Sequence, residues 1–286
     1  MKILVFGKTG QVARALIAAG PAAGVQITAL GRDDADLRDP AACAGAIARM
    51  DTDAVINAAA WTAVDAAEDH EAEAHVVNAE APGAMAAACR DRGVPFVHIS
   101  TDYVFDGAQG PAWKPEDSTA PLSAYGRTKL AGEQLVAATG GRSVILRTAW
   151  VFDGTGRNFV TTMLGLSETR DALSVVGDQT GGPTPAAAIA AACLTIAKAL
   201  HAGQGAPGVY HFSGAPDVTW ADFARRIFAT AGRPVTVTDI PTSDYPTPAM
   251  RPANSRLDCR SLEATFGISR PDWQAELDAI IKETLS

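Results

Sequence analysis

The chain begins Met1-Lys2-Ile3-Leu4-Val5-Phe6-Gly7-Lys8-Thr9-Gly10-Gln11-Val12-Ala13. The apolar run over residues 3–6 does not alternate, as expected of a strand covered on both faces. It passes directly into a glycine turn, after which residues 12–19 repeat at helical spacing. Gly7 and Gly10 permit a tight turn and let the backbone approach a pyrophosphate. The helix that follows offers free N–H groups and its positive dipole end. The spacing is Gly-x-x-Gly-x-x-Ala, with Ala13 small enough for close helix–strand packing. An ordinary strand–helix turn can also carry two glycines, so the position right after an apolar run favours the phosphate-binding reading. A Walker loop is excluded, because the glycine it needs five residues before Gly7 is replaced by Lys2, inside the strand.

The same rhythm continues outward from this turn. Apolar runs at 27–30, 53–56, 94–99 and 144–147 alternate with alanine-rich helical stretches at 41–50, 83–92 and 129–138. This predicts an α/β fold, a Rossmann-type doubly wound parallel sheet. After residue 150 the rhythm breaks into loops at 153–158, 177–185 and 241–252, with helices at 158–166 and 220–231. The expected organisation is a dinucleotide-binding domain over 1–150 and a smaller C-terminal substrate lobe over 151–286. A helix at 186–200 and a strand at 208–212 should return residues 184–214 to the main sheet.

Composition bounds the function. The chain has 286 residues, 47% of them hydrophobic, enough for a well-buried core. A net charge of −8 argues against nucleic acid or an anionic membrane as partner. No apolar run reaches the roughly 18 residues of a membrane span, and the first residues lack the pattern of a signal peptide. Cys43, Cys89, Cys193 and Cys259 are widely spaced, which suits free thiols in a reducing, cytoplasmic setting better than a zinc site or disulfide framework.

Chemistry concentrates in two segments. In Tyr125-Gly126-Arg127-Thr128-Lys129 the phenol and the amine lie one helical turn apart on one face. An ammonium there would favour the phenolate and lower a phenol pKa of about 10, fitting Tyr125 for proton transfer to a carbonyl oxygen. Thr101 and Ser100 end the run at 94–99, at the strand edge where parallel-sheet enzymes place their chemistry. Taken singly, YxxxK is common on surface helices and Thr101 could serve a local turn. In this order, after a glycine loop, they point to a ketone reductase. Ala58, Ala59 and Ala60 follow the third strand and leave room for a cofactor. At the end of the second strand stands Arg32 in place of the acid that selects NAD. With Lys8 it could meet a 2′-phosphate, and Asp36 remains open to a cofactor contact. Arg251 and Arg256 suit a diphosphate, because guanidinium forks match phosphate oxygens. His98 lies within a strand run and reads as a core histidine.

These motifs resemble the extended short-chain dehydrogenase/reductase superfamily and, within it, the dTDP-4-dehydrorhamnose reductase family. The resemblance spans nearly the whole chain. It rests on residues 6–12, 57–60, 62–65, 100–105, 125–133 and 147–152, on Asp178-Gln179 with Pro183-Thr184, and on residues 251–257. It implies reduction of a nucleotide-linked 4-keto sugar with NADP(H) or NAD(H). The implied catalytic trio is Thr101, Tyr125 and Lys129. Gly10, Gln11, Val12, Asp36, Leu37, Ala58, Ala59 and Ala60 would touch the cofactor. Thr62, Thr101, Asp102, Trp150 and Asn158 would line the sugar site. Some members of the family bind magnesium at a dimer interface through glutamates. Ala15 and Ala187 stand at the matching places, which implies no metal and a monomer or weak homodimer. A sugar-nucleotide dehydratase is disfavoured because Tyr103, not a second carboxylate, follows Asp102. Another nucleotide-sugar reductase or 4-epimerase, or a non-catalytic NADP-binding regulatory subunit like the methionine adenosyltransferase β-subunit, is the alternative.

If Arg32 reads the 2′-phosphate, Arg32→Ala weakens NADPH more than NADH. Dissociation constants for both cofactors measure this, and equal losses would remove Arg32 from that role.

Overall fold

A computed structural model describes residues 1–284, so the last two positions of the expected lobe lie outside the described residues. In chain order the first half runs β1 (Lys2–Phe6), α1 (Gln11–Ala19), β2 (Gln26–Leu30), α2 (Pro40–Arg49), β3 (Ala54–Asn57), α3 (Val64–Asp69), α4 (Glu71–His75), a π-helical turn (Val76–Glu80), α5 (Ala81–Arg92), β4 (Phe96–Thr101), α6 (Ala124–Ala138) and β5 (Ser143–Thr148). The second half runs β6 (Val151–Phe152), α7 (Phe159–Leu166), β7 (Ala172–Val176), β8 (Thr180–Gly181), β9 (Thr184–Pro185), α8 (Ala186–His201), β10 (Gly208–His211), β11 (Val218–Thr219), α9 (Trp220–Thr230), β12 (Thr236–Ile240), β13 (Asn254–Ser255), α10 (Arg260–Phe266) and α11 (Trp273–Thr284).

Six strands form one sheet in the order β10-β5-β4-β3-β1-β2, and every neighbouring pair is parallel. The α/β doubly wound expectation holds, including the late strand at 208–211 that joins beside β5. The strands are continuously apolar because helices cover both faces. One face packs on α1 and α8 through Leu16, Ile189, Cys193 and Ile196. The other packs on α2 and α5 through Ile47, Met85 and Cys89. All four cysteines are free and buried.

The winding order of the strands reverses between β1 and β3, and their carboxyl ends open a crevice there. Gly7 sits at φ 112°, and a Cβ on it would come 3.2 Å from the Ala58 carbonyl carbon and oxygen. Only glycine fits that turn. A third apolar cluster lies beyond the sheet, where Phe152, Val160, Phe223, Phe228, Trp273 and Leu277 pack together. Leu262 of α10 packs instead with the core at α8. Three small sheets brace this region, β11-β8-β13, β12-β7 and β6-β9.

Three buried titratable groups act on stability between about pH 6 and 5. Burial pushes His211 down to about 3 and His98 well below its usual value, so both stay neutral in the fold. An unfolded chain protonates them near pH 6.5, so stability falls as pH drops below that value. Burial pushes Asp102 up to about 6. Its protonation in the fold acts oppositely, adding stability as pH falls from about 6 toward its unfolded value near 3.9. Two protons against one leave stability falling as pH drops between roughly pH 6 and 5, by on the order of 1 kcal/mol per pH unit. His211→Asn, which can still donate to the Trp113 carbonyl, should flatten that slope in denaturant titrations. An unchanged slope would mean that His211 is already charged in the fold.

Candidate active site

The crevice holds a cavity of about 520 Å³, within the range of small-molecule sites. Gly10, Gln11 and Val12 line it from the start of α1. Gly10 is the N-cap residue and makes no side-chain capping bond, and the first turn carries no acid. The helix end thus presents its N–H groups to a ligand. Ala58, Ala59, Ala60 and Thr62 form the facing wall after β3. Thr101, Asp102, Tyr125, Lys129 and Trp150 line the same space, so most of the residues singled out in the sequence converge on one cavity.

The reason they converge lies in α6. Ser123 caps it by accepting the Gly126 N–H at 3.2 Å, which places Tyr125 in the first turn and Lys129 one turn on. Glu133, another turn along, accepts from Arg147 at 2.6 Å and from the Ser100 hydroxyl at 2.6 Å. The ion pair is 4% and 5% exposed, so it locks the helix onto β4 and β5 from within the core. Gly132 makes the opposite contact, since a Cβ there would fall 2.1 Å from the Asn78 carbonyl oxygen. Asn78 belongs to the π-helical turn, and its side chain ties the Trp61 backbone to the Thr128 hydroxyl at 2.8–3.2 Å.

Local electrostatics differ from the expectation drawn on Tyr125. Burial pushes the phenol up to about 12, Thr101 pulls it down through a side-chain hydrogen bond, and Asp102 raises it further. Lys129 is not what moves it. The amine turns into the core, donates to the Ile99 carbonyl at 2.7 Å and lies 3.3 Å from His98 Nε2. Its own pKa is lowered to about 8 by burial, against the pull of Glu133. Thr101 donates to Asp102 Oδ1 at 3.1 Å, while Asp102 Oδ2 and Thr148 Oγ1 are buried without a hydrogen-bond partner. Trp150 adopts φ 48°, unusual for a bulky residue, and is held by stacking on Trp220 at 3.6 Å.

Other expected residues lie apart from the cavity wall. Gly7 lies behind it at the turn. Arg32 is exposed at the end of β2, Asp36 pairs with Arg38, and Leu37 is buried. Asn158 spends its side chain capping α7 and donating to Asp153. Arg251 forks onto Asp65 at 2.8–2.9 Å, and Arg256 bonds Asn254 and the Gly110 carbonyl. The wall also contains residues the sequence did not suggest, among them Arg14, Tyr103, Thr148 and Arg157. Thr148 ends β5 just as Thr101 ends β4, and the strand-end rule applied there would have found it. Arg157 is a single basic residue in a glycine-rich loop and carries no such signal.

The family model described as the RmlD substrate binding domain matches residues 1–286. A dTDP-4-dehydrorhamnose reductase of Sinorhizobium fredii is 46% identical over 281 residues, covering 96% of this chain and 94% of that protein. The crystal structure of a dTDP-4-dehydrorhamnose reductase from Clostridium acetobutylicum superposes with a TM-score of 0.94 at 37% identity, covering 100% of both chains. The Bacillus anthracis enzyme of the same name, solved in complex with NADP, gives 0.91 at 31% identity and covers 99% of both chains. Sequence and architecture agree along the full length, and the chain belongs to the dTDP-4-dehydrorhamnose reductase family.

Proposed function

We propose that this chain reduces the C4 keto group of dTDP-4-dehydro-β-L-rhamnose to dTDP-L-rhamnose, using NADPH or NADH. The observation that carries the reading is the shared cavity. Thr101, Tyr125 and Lys129 face it together with the uncapped start of α1 and the alanine wall after β3. The residues suit a dinucleotide. Gly7 gives backbone room at the turn, the free N–H groups of α1 suit a pyrophosphate, and Ala58–Ala60 leave space beside it. Gly10, Gln11, Val12 and Lys129 would hold the cofactor, with Arg32 and Lys8 outside the cavity for a 2′-phosphate. The nicotinamide cofactor supplies the hydride.

Tyr125 supplies the proton. A phenol held near 12 is fully protonated at neutral pH and is still a stronger acid than the alcohol formed from an alkoxide. Burial therefore suits a donor in the reductive direction, where it would hinder a base. Thr101, bonded to the same phenol, orients the ketone oxygen. Asp102 and Thr148 line the cavity beside the phenol and give it polar groups suited to sugar hydroxyls. Trp150, rigid in its stack, gives the sugar a flat wall, and Thr62 flanks it. Arg157 brings positive charge to the cavity for the diphosphate, while Arg14 is paired with Asp153 and Arg251 lies nearby, its charge felt by Tyr103. Asn158 acts by holding the 153–158 loop. We assign residues 1–150, with 184–214, to the dinucleotide half and 151–286 to the substrate lobe. No helix among the described residues is long and apolar enough to cross a membrane. A cytoplasmic monomer, or a weak homodimer without magnesium, is the expected state.

The regulatory-subunit alternative gains no support, since the matched relatives bear a reductase's name over their full length. The deciding experiment follows NADPH absorbance with the 4-keto sugar nucleotide and a panel of related keto sugars. Tyr125→Phe should keep cofactor affinity and lose about 10²–10⁴-fold in turnover. Near-normal turnover in that variant would refute the proton-donor role. Tight NADP(H) binding by the native chain without turnover of any keto sugar would overturn the reductase reading.

A further inference from the structure

The environment of Lys129 contains a constraint that the reaction chemistry above does not use. His98, on β4, has no exposed surface, and its two ring nitrogens face different neighbours. Nε2 lies 3.3 Å from Lys129 Nζ, and Nδ1 lies 3.2 Å from Nδ2 of Asn57, the last residue of β3. The Asn57 amide cannot turn over freely, because its Oδ1 accepts the Ala59 N–H at 3.1 Å. Its NH₂ group therefore faces the imidazole, and an amide NH₂ can only donate. Nδ1 must be the bare, accepting nitrogen. A neutral ring then carries its proton on Nε2, aimed at Lys129. An ammonium has three donors and no lone pair, so this N–H can bond Lys129 only in its amine form.

We propose that His98 is a positioning residue for Lys129: Asn57 locks it as the Nε2–H tautomer, and that N–H, aimed at Nζ, favours the amine form of Lys129 over the ammonium. The amine keeps one hydrogen on the Ile99 carbonyl. Other charged and titratable groups around the pair do not reverse this. Glu133 on α6 favours the ammonium, but its carboxylate is already shared by Arg147 and Ser100. Tyr125 shares the helix with Lys129, and Asp102 acts on the phenol rather than on the amine. The depressed values of Lys129 and His98 agree in direction with the arrangement.

The tautomer lock is independent of substrate identity, whereas its effect on turnover rests on the reductase reading. Two measurements separate them. Long-range ¹⁵N spectra of the native protein, labelled in its histidine rings, should show His98 protonated at Nε2 and bare at Nδ1 across neutral pH. The resonance is assigned by its loss in His98→Gln, or by elimination using single replacements of the other four histidines. An Nδ1–H tautomer, or a charged ring, would overturn the proposal even if no keto sugar were turned over. In the active enzyme, His98→Gln offers Lys129 a carbonyl oxygen that favours the ammonium. The alkaline limb of kcat/KM should then move up by about one pH unit. A variant that only loses stability or overall rate, with that limb unmoved, would reduce His98 to a packing residue.

Discussion

The site depends on one buried charge pair. Glu133 reaches from α6 across to Arg147 on β5 and takes the Ser100 hydroxyl of β4 as well. Removing two charges from water is costly, and such a pair adds little net stability compared with apolar packing. Its value here is geometric. A greasy contact would let α6 slide or rotate by a fraction of a turn, whereas a forked guanidinium and a carboxylate meet in one orientation only. Tyr125 and Lys129 lie two turns and one turn before Glu133 on the same helix, so fixing that carboxylate fixes them. Arg147 serves on its other side too, packing over the Phe105 ring at 5.0 Å and facing His211 Nε2 at 3.4 Å.

The sheet was legible because its signal is local. Strands covered on both faces read as plain apolar runs, and five of the six lie within the regular alternation. The small sheets were not legible. β7 and β12 pair across more than sixty residues, and each shows mixed burial rather than a core pattern. The helical stretch over 64–80 was missed for another reason. Val64–Asp69 and Glu71–His75 are short and acidic, with little apolar stripe, and they hold together by packing on α6 rather than by propensity.

The candidate site shows the same division. Spacing and position sufficed to bring Thr101, Tyr125, Lys129 and the glycine loop to one place. Spacing could not show how deeply the phenol is buried, nor that Lys129 would spend its amine on the Ile99 carbonyl instead of on Tyr125. Nor could it show that Arg251 already has a carboxylate partner in Asp65. Charge neutralisation between residues nearly two hundred positions apart leaves no mark on either sequence neighbourhood. The dipole and backbone features were more readable than the side-chain pairings, because a turn and a helix start are built from adjacent residues.

The segment after Phe105 packs Trp113 on Phe105 and meets Arg147 and His211, and its remaining ties come from much later in the chain. Trp113 bridges to Leu257, Asn254 donates to the Ala108 and Pro111 carbonyls, and Arg256 reaches the Gly110 carbonyl. Every one of these ties comes from the final seventh of the polypeptide. The nucleotide-binding strands pair among near neighbours, whereas these ties span more than 140 positions and close late. An early loop and a late one are thereby made to agree, and the space they close lies between Ala112, Leu257 and Arg270, apart from the cavity that holds Tyr125.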